Sequence, residues 1–333
     1  MKVLVTGASG FLGSHIAEQL VRGGHSVRVL LRETSDRSHL RGIVVEEAQG
    51  DVTQPSSLTA AVAGVDAVVH AAGLVKARDE AGFDAVNAQG TVNLLATLNG
   101  GETAQRLVYV SSLAAHGPSE DGRPRPLDAP PSPITAYGRS KLKGEELVRA
   151  WAAEGRSNGT RRSAAIVRPP VIYGPRDREL LPFFKLARWR LAPLLGRGNN
   201  AISLVYVEDA ARAVALVAPA GDEAPVVTYT LDDGEVYTWR DLLRAVEGAV
   251  NRKALRLPSP AWAFTAAATV SETYGRLRRQ PVAFTRDKVN EMRQPYWVCS
   301  HDEIDRDLGW QPRVGLAEGT ALTAAWYKQY GWL

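Results

Sequence analysis

The sequence predicts an α/β protein built on a doubly wound parallel sheet, with a smaller, mainly helical C-terminal region added to it. Strand and helix signals alternate from the first residue to Pro169, a rhythm that needs crossover helices and therefore parallel strands. The first strand runs straight into a glycine-rich turn, and an amphipathic helix follows. With 333 residues, 45% of them hydrophobic, the chain can bury a large core.

Taken in order, Lys2 to Thr6, Val27 to Leu31, Ile43 to Glu47, Ala67 to His70, Leu107 to Ser111 and Ala164 to Arg168 read as short apolar strands, with helices between most of them. After Pro169 the rhythm changes. Residues 171 to 204 are rich in proline and arginine and read as irregular, Val205 to Val217 returns to strand and helix, and Val226 to Leu231 reads as one more strand. From Trp239 onward the pattern is mainly helical and ends in a tail rich in tryptophan and tyrosine. No internal repeat is visible.

Composition narrows the classes. The formal charge is +4, but the charges are scattered, and the cluster Lys185, Arg188 and Arg190 is interrupted by apolar residues, so no nucleic-acid partner is expected. The single cysteine, Cys299, excludes an internal disulfide and favours a reducing compartment, with the cytoplasm as the expected location. Residues 1 to 6 already read as a core strand, so no leader peptide is expected. The longest apolar run, Ala261 to Val270, is too short to span a bilayer and carries Thr265 and Thr269; it reads as a buried helix, against the alternative of contact with a membrane surface.

Two constellations carry chemistry. In the first, Thr6-Gly7-Ala8-Ser9-Gly10-Phe11-Leu12-Gly13 opens a helix with Ile16, Leu20 and Val21 on one face. Gly7 lets the chain turn sharply out of the strand, Gly10 lets backbone approach a pyrophosphate, and Gly13 lets helix and strand pack closely. The helix N-terminus adds unpaired N–H groups and the positive end of a dipole. This is the phosphate cradle of a Rossmann-type dinucleotide-binding domain, which would span residues 1–170 with returning segments near 205–232. A substrate-binding region would take 171–204 and 233–333.

The second constellation is Ser111-Ser112 with Tyr137-x-x-x-Lys141 on a helix beginning near Thr135. The i, i+4 spacing puts phenol and ammonium on one helix face. A lysine beside the tyrosine, together with a positively charged cofactor, would lower the phenol pKa from about 10 toward the working pH. Tyr137 would then exchange a proton with a substrate oxygen that Ser112 orients.

Together with Gly50-Asp51-Val52, His70-Ala71-Ala72-Gly73, Val86-Asn87-Ala88-Gln89-Gly90-Thr91, Arg168-Pro169-Pro170-Val171-Ile172-Tyr173-Gly174-Pro175 and Val205-Tyr206-Val207-Glu208-Asp209, these residues resemble an extended short-chain dehydrogenase/reductase of the NAD-dependent epimerase/dehydratase family. The resemblance covers roughly the first two-thirds of the chain. It implies a cofactor site of Gly7, Ser9, Gly10, Phe11, Leu12, Gly13, Arg32, Asp51, Val52, Ala71, Ala72, Gly73, Tyr137, Lys141, Pro170 and Val171. Within it, Asp51 and Val52 flank the adenine, Ala71 to Gly73 line the central part, and backbone after Pro169 meets the nicotinamide carboxamide. It also implies Ser112, Tyr137 and Lys141 as catalytic residues. Ser112, five residues before Gly117, matches the family's position; Ser111 is left as a strand-end hydrogen bonder. Homodimers paired through helices around 88–99 and 140–152 are the family's tendency.

Leu31-Arg32-Glu33 ends the second strand without an acid at the position that would bind a ribose 2′-OH. Arg32 can instead hold a 2′-phosphate, so NADP is favoured and NAD stays possible. Family members that act on nucleotide-linked sugars carry an asparagine where this chain has Val171 and a diphosphate-clamping arginine near Ile202; both are missing, although Arg176, Arg178 or Arg188 could substitute. Gly196-Arg197-Gly198-Asn199-Asn200 before an apolar strand is similar to the branch of 3β-hydroxysteroid dehydrogenases and dihydroflavonol reductases. The expected activity is interconversion of a secondary alcohol and a ketone on a rather apolar small molecule, in a cavity walled by Val171 and Ala201 to Leu204. The alternatives are a nucleotide-sugar epimerase or dehydratase, and a cofactor-sensing protein without chemistry, which retention of Ser112, Tyr137 and Lys141 together argues against.

Overall fold

A computed structural model describes residues 1–99, 106–157, 162–196, 198–221, 226–278, 280–282 and 284–333, excepting the side chains of 156, 157, 195 and 258. In chain order its strands and helices are β1 (Lys2–Thr6), α1 (Phe11–Arg22), β2 (Ser26–Leu31), β3 (Glu46–Gln49), α2 (Thr59–Val62), β4 (Ala67–His70), α3 (Glu80–Asn87), α4 (Gln89–Asn99), β5 (Arg106–Val110), α5 (Leu113–His116), α6 (Ala136–Ser157), β6 (Ser163–Arg168) and β7 (Val171–Tyr173). They continue with α7 (Leu181–Arg188), β8 (Leu191–Leu195), β9 (Ala201–Tyr206), α8 (Val207–Val217), β10 (Val226–Thr230), β11 (Val236–Thr238), α9 (Trp239–Val250), β12 (Leu255–Ser259), α10 (Ala261–Arg278), α11 (Arg286–Arg293), β13 (Tyr296–Trp297), α12 (Asp302–Leu308) and α13 (Leu316–Gln329).

Seven strands form one parallel sheet in the order β10-β6-β5-β4-β1-β2-β3. This is the Rossmann-like doubly wound arrangement. The order reverses between β1 and β4, and in such sheets ligands bind at the carboxyl ends of the strands beside that reversal. The loops leaving those two strands, 7–10 and 71–74, therefore face each other across the crevice.

Both faces of the sheet are dry. On one, Val3, Val5, Val29 and Val108 pack with Ile16 and Leu20 of α1 and Ala210 and Val214 of α8. On the other, Leu4, Val68, Leu107 and Tyr109 pack with Leu94 and Leu98 of α4 and Val148 and Trp151 of α6. Strands buried on both faces must be apolar throughout, which is why β1, β4 and β5 were legible as continuous apolar runs.

The third strand shows where that rule stops. It was expected at Ile43 to Glu47 but lies at Glu46–Gln49, and Val44 is exposed. This is the edge of the sheet, and charge sets its register: Glu46 meets Arg28 at 2.7 Å and Lys2 at 2.6 Å.

The region expected to be irregular, 171 to 204, is instead ordered as β7, α7, β8 and the start of β9. Strand β9 begins four residues earlier than expected and holds a small second sheet together, pairing with β7 and β13 in parallel and β11 antiparallel. Strands β8 and β12 form a separate parallel pair. The second sheet shares with α7, α9 and α13 a core of Tyr173, Phe184, Ile202, Leu204, Leu242, Val246 and Tyr327, while Ala192 and Leu194 of β8 pack with Leu243. The partners in that larger core come from stretches more than a hundred residues apart, so no local periodicity announces it.

Candidate active site

The glycine-rich turn is held by its own backbone. Gly7 adopts a φ of 74°, and a Cβ there would sit 2.7 Å from the Ala71 carbonyl and the Ala72 nitrogen. Only a glycine permits that close approach of the two facing loops. A Cβ on Gly13 would overlap the Gly7 carbonyl, so α1 is pressed directly against the turn. Gly10 is exposed and caps α1 without any side-chain bond, and a Cβ there would meet only the Gly7 oxygen. The first N–H groups of α1 thus face an open cradle, with Ser9, Phe11 and Leu12 half-buried around it.

The facing loop is tied down on both sides. The Thr6 hydroxyl accepts from the Ala72 N–H at 3.2 Å. Asn87 accepts from the Leu74 N–H at 2.7 Å and donates back to the Leu74 carbonyl at 3.1 Å and to Ser140 at 2.9 Å, which joins this loop to α6. A Cβ on Gly73 would come 3.7 Å from the Lys141 ammonium nitrogen. The second constellation therefore stands beside the first.

Asp51 and Val52 stand after β3. The Asp51 carboxylate accepts from the Thr53 N–H and hydroxyl, both at 2.8 Å, and Val52 is buried with its carbonyl held by Asn93 at 2.8 Å. Arg32 projects into solvent at the end of β2; its backbone N–H donates to Ser35, and its guanidinium makes no bond among the described residues. Pro170 and Val171 are half-buried, and the Pro169 carbonyl accepts from the Leu113 N–H at 2.9 Å, which brings that loop to Ser112.

Ser112 caps the short helix α5, accepting from the Ala114 N–H at 3.2 Å. Its hydroxyl is near enough to the Tyr137 phenol to favour the ionised form. Burial pushes that phenol up to about 12, and Ser112 pulls the other way. Lys141 is pushed down to about 7 by burial, opposed by Glu145 one turn further along α6. Its ammonium lies 4.3 Å over the Tyr109 ring. The expected depression of the Tyr137 pKa by Lys141 is therefore not what the protein alone shows, because burial is the largest influence on both groups.

Ser111, beside Ser112, is fully engaged elsewhere. Its hydroxyl donates to Glu145 at 2.6 Å, and Glu145 holds Arg168 through two bonds of 2.9 and 2.7 Å. This buried network ties β5, α6 and β6 together beneath the site.

Three side chains around Tyr137 escaped the sequence reading. The Phe83 ring lies 6.0 Å from that of Tyr137. Asp287 accepts from the Ala136 N–H at 2.9 Å, and Glu291 is close enough to oppose ionisation of the phenol. The last two come from α11, about 150 residues further on, where no motif signals them. Conversely, Ile202 and Leu204 are spent in the core of the second sheet rather than lining a cavity, while Val171 packs partly buried against that core. Arg176 is engaged with Ser14 and Glu18, Arg178 lies over the Trp332 ring, and Arg188 is exposed on α7. Arg197 lies outside the described residues.

A parallel sheet with a glycine-rich turn at its switch point is the framework of an NAD(P)-dependent enzyme of the extended short-chain dehydrogenase/reductase type, and the comparisons agree. Residues 3–230 match the NAD dependent epimerase/dehydratase family, and the chain belongs to that family. It is 34% identical over 337 residues to a ceramide reductase of Caulobacter vibrioides, covering 99% of this chain and 96% of the relative. It is 30% identical over 342 residues to a 2-alkyl-3-oxoalkanoate reductase of Stenotrophomonas maltophilia, covering 96% and 97%. The fold matches the crystal structure of a Thermus thermophilus UDP-glucose 4-epimerase in complex with NAD with a TM-score of 0.78 at 26% identity, over 98% of this chain and 99% of that one.

Proposed function

We propose that the protein is a ketoreductase that interconverts a ketone and a secondary alcohol on a substrate carrying long alkyl chains. The observation that carries this reading is the placement of Tyr137 beside Ser112 and facing Phe83, while among the described residues Arg176 and Arg178 are engaged elsewhere rather than left to clamp a diphosphate. Relatives named for ceramide and for 2-alkyl-3-oxoalkanoates support the substrate class. A bound nicotinamide dinucleotide would supply or accept the hydride. Ser112 orients the substrate oxygen, Tyr137 delivers or takes its proton, and Lys141 places a positive charge that, together with the cofactor's, opposes the burial of the phenol. Residues 1–170 with the returning 205–232 would hold the cofactor, and 171–204 with 233–333 the substrate. The unpaired Arg32 guanidinium supports NADP over NAD, and the family's tendency to pair through helices near 88–99 and 140–152 supports a homodimer.

The test is calorimetric titration of the cofactor-loaded protein with UDP, dTDP and a long-chain 3-oxo amide, followed by product identification. The ketone is expected to bind and be reduced, and the nucleotides to bind no better than about millimolar, near −4 kcal/mol. Micromolar nucleotide binding would favour the epimerase or dehydratase reading instead.

A further inference from the structure

Helix α10 was expected to be buried, and it is not. Of its 18 residues only Ala268 and Gly275 are buried. Trp262 is 73% exposed, Val270 70% and Leu277 80%, and Tyr274 is also in water. With exposed Ala266 these residues recur at intervals of four, four, four and three, which places them on one stripe running about 22 Å along the helix. The strand pair that precedes the helix exposes apolar residues of its own. Exposed Leu255 of β12 stands opposite exposed Leu191 of β8, and exposed Trp189 precedes that strand. A patch this long and this apolar is not an ordinary surface.

Charge says what could cover it. From residue 185 to 196 and from 251 to 278 the only acid is Glu272, and Arg286 already holds it at 2.9 Å. The same stretches carry Lys185, Arg188, Arg190, Arg252, Lys253, Arg256, Arg276 and Arg278. Of these, only Arg256 makes an ion pair among the described residues, with Glu247. A second copy docked face to face would set these cations against one another, with Glu272 and Glu247 already paired, which disfavours a symmetric dimer here. An anionic lipid surface satisfies both features, since it takes apolar and aromatic side chains into the interface and attracts lysine and arginine around them. No helix among the described residues is long and apolar enough to cross a membrane, so α10 would lie in the interface plane.

The patch is coupled to the site. Phe264 of α10 packs on Phe284 with ring centres 6.0 Å apart. From there the chain enters α11, whose Asp287 binds the Ala136 N–H next to Tyr137. We propose that the face formed by α10, β8 and β12 docks onto an anionic phospholipid bilayer and opens the Tyr137 cleft to substrate drawn from it. The second clause rests on the alkyl-chain substrate proposed above; docking itself does not.

The experiment is flotation of the full chain with phosphatidylcholine vesicles, alone or with about a third phosphatidylglycerol, at low and high salt. Wild type is expected to float with the anionic vesicles and to be released by salt. Trp262→Asp combined with Leu277→Asp should lower vesicle partitioning at least about tenfold, while leaving the melting temperature and the reduction of a short, soluble ketone unchanged. Leu322→Asp, on an exposed apolar residue of α13, should leave flotation intact. Wild type that stays unbound overturns the proposal, as does a double variant that still floats. So does a dimer in sedimentation that the double variant abolishes without any vesicle binding by wild type. If wild type floats but reduces no ketone, docking stands and the substrate reading falls.

Discussion

In the seven-stranded sheet, side chains on both faces are withdrawn from water and adjacent loops touch through glycine; in the region after Pro169, short sheets share a patchwork core and large apolar residues stand in solvent. What differs is how much of each residue's environment is set by near neighbours in sequence. Around the cofactor cradle, backbone contacts such as Gly7 against Ala71 and Ala72 leave almost no freedom. On α10, Trp262, Val270 and Leu277 touch little of the protein, so their identity is free to answer to something outside it.

The contrast can be pressed hardest at Tyr137. Tyr137→Phe keeps the ring that faces Phe83 and removes only the hydroxyl. Turnover should fall by about a thousandfold, while cofactor affinity measured by fluorescence titration stays within about twofold. Activity near wild type would end the assignment of proton transfer to this residue.

Next in size is Gly13→Ala, whose Cβ would overlap the Gly7 carbonyl with only backbone to give way. A loss of about 3 kcal/mol in unfolding free energy is expected, with weakened dinucleotide binding. An ordinary urea transition with intact cofactor affinity would show the cradle to be softer than described.

Acidity should also strike the sheet half first. His70 is enclosed between Thr6 at 2.7 Å and Thr91 at 3.2 Å. The Thr91 proton goes to the Asn87 carbonyl at 2.8 Å, so Nε2 of His70 donates to Thr91. Burial lowers the pKa of His70 to about 3, and burial followed by the charge of Arg176 does the same to His15. Between about 6.5 and about 3 the unfolded chain binds protons that the folded chain does not, so stability falls as pH drops through that window. Each histidine should contribute about 2 kcal/mol of loss by pH 5, read from urea midpoints. His70→Asn should flatten part of that slope; an unchanged slope would assign the acid sensitivity elsewhere.

The smallest effect belongs to the cap surface. Leu277→Ser alone should change unfolding free energy by no more than about 0.5 kcal/mol, because an 80% exposed side chain loses almost no contact. A large loss in dilute buffer would mean that the stripe is covered within the protein.

Much of this was readable in advance, and the reason is local. Lys2 to Thr6 and Ala67 to His70 were expected as strands at the positions where they occur, because a strand buried on both faces writes itself as an unbroken apolar run. The glycine turn and the Tyr137 and Lys141 spacing were legible for the same reason, since their geometry is made within a few residues. The edge strand at Glu46–Gln49 was misplaced because ion pairs with Lys2 and Arg28, not apolarity, set it. Phe83, Asp287 and Glu291 were missed because only folding brings them to Tyr137.

By itself the chain determined its parallel strands, its glycine-rich turn and the helix face shared by Tyr137 and Lys141, all products of steric and periodic rules acting over a dozen residues or fewer. Tertiary structure alone decided that Ile202 and Leu204 are core rather than cavity wall, and that α11 comes down beside the tyrosine. It also decided that the apolar run from Ala261 faces water, since whether an apolar residue is buried depends on which distant segment arrives to cover it.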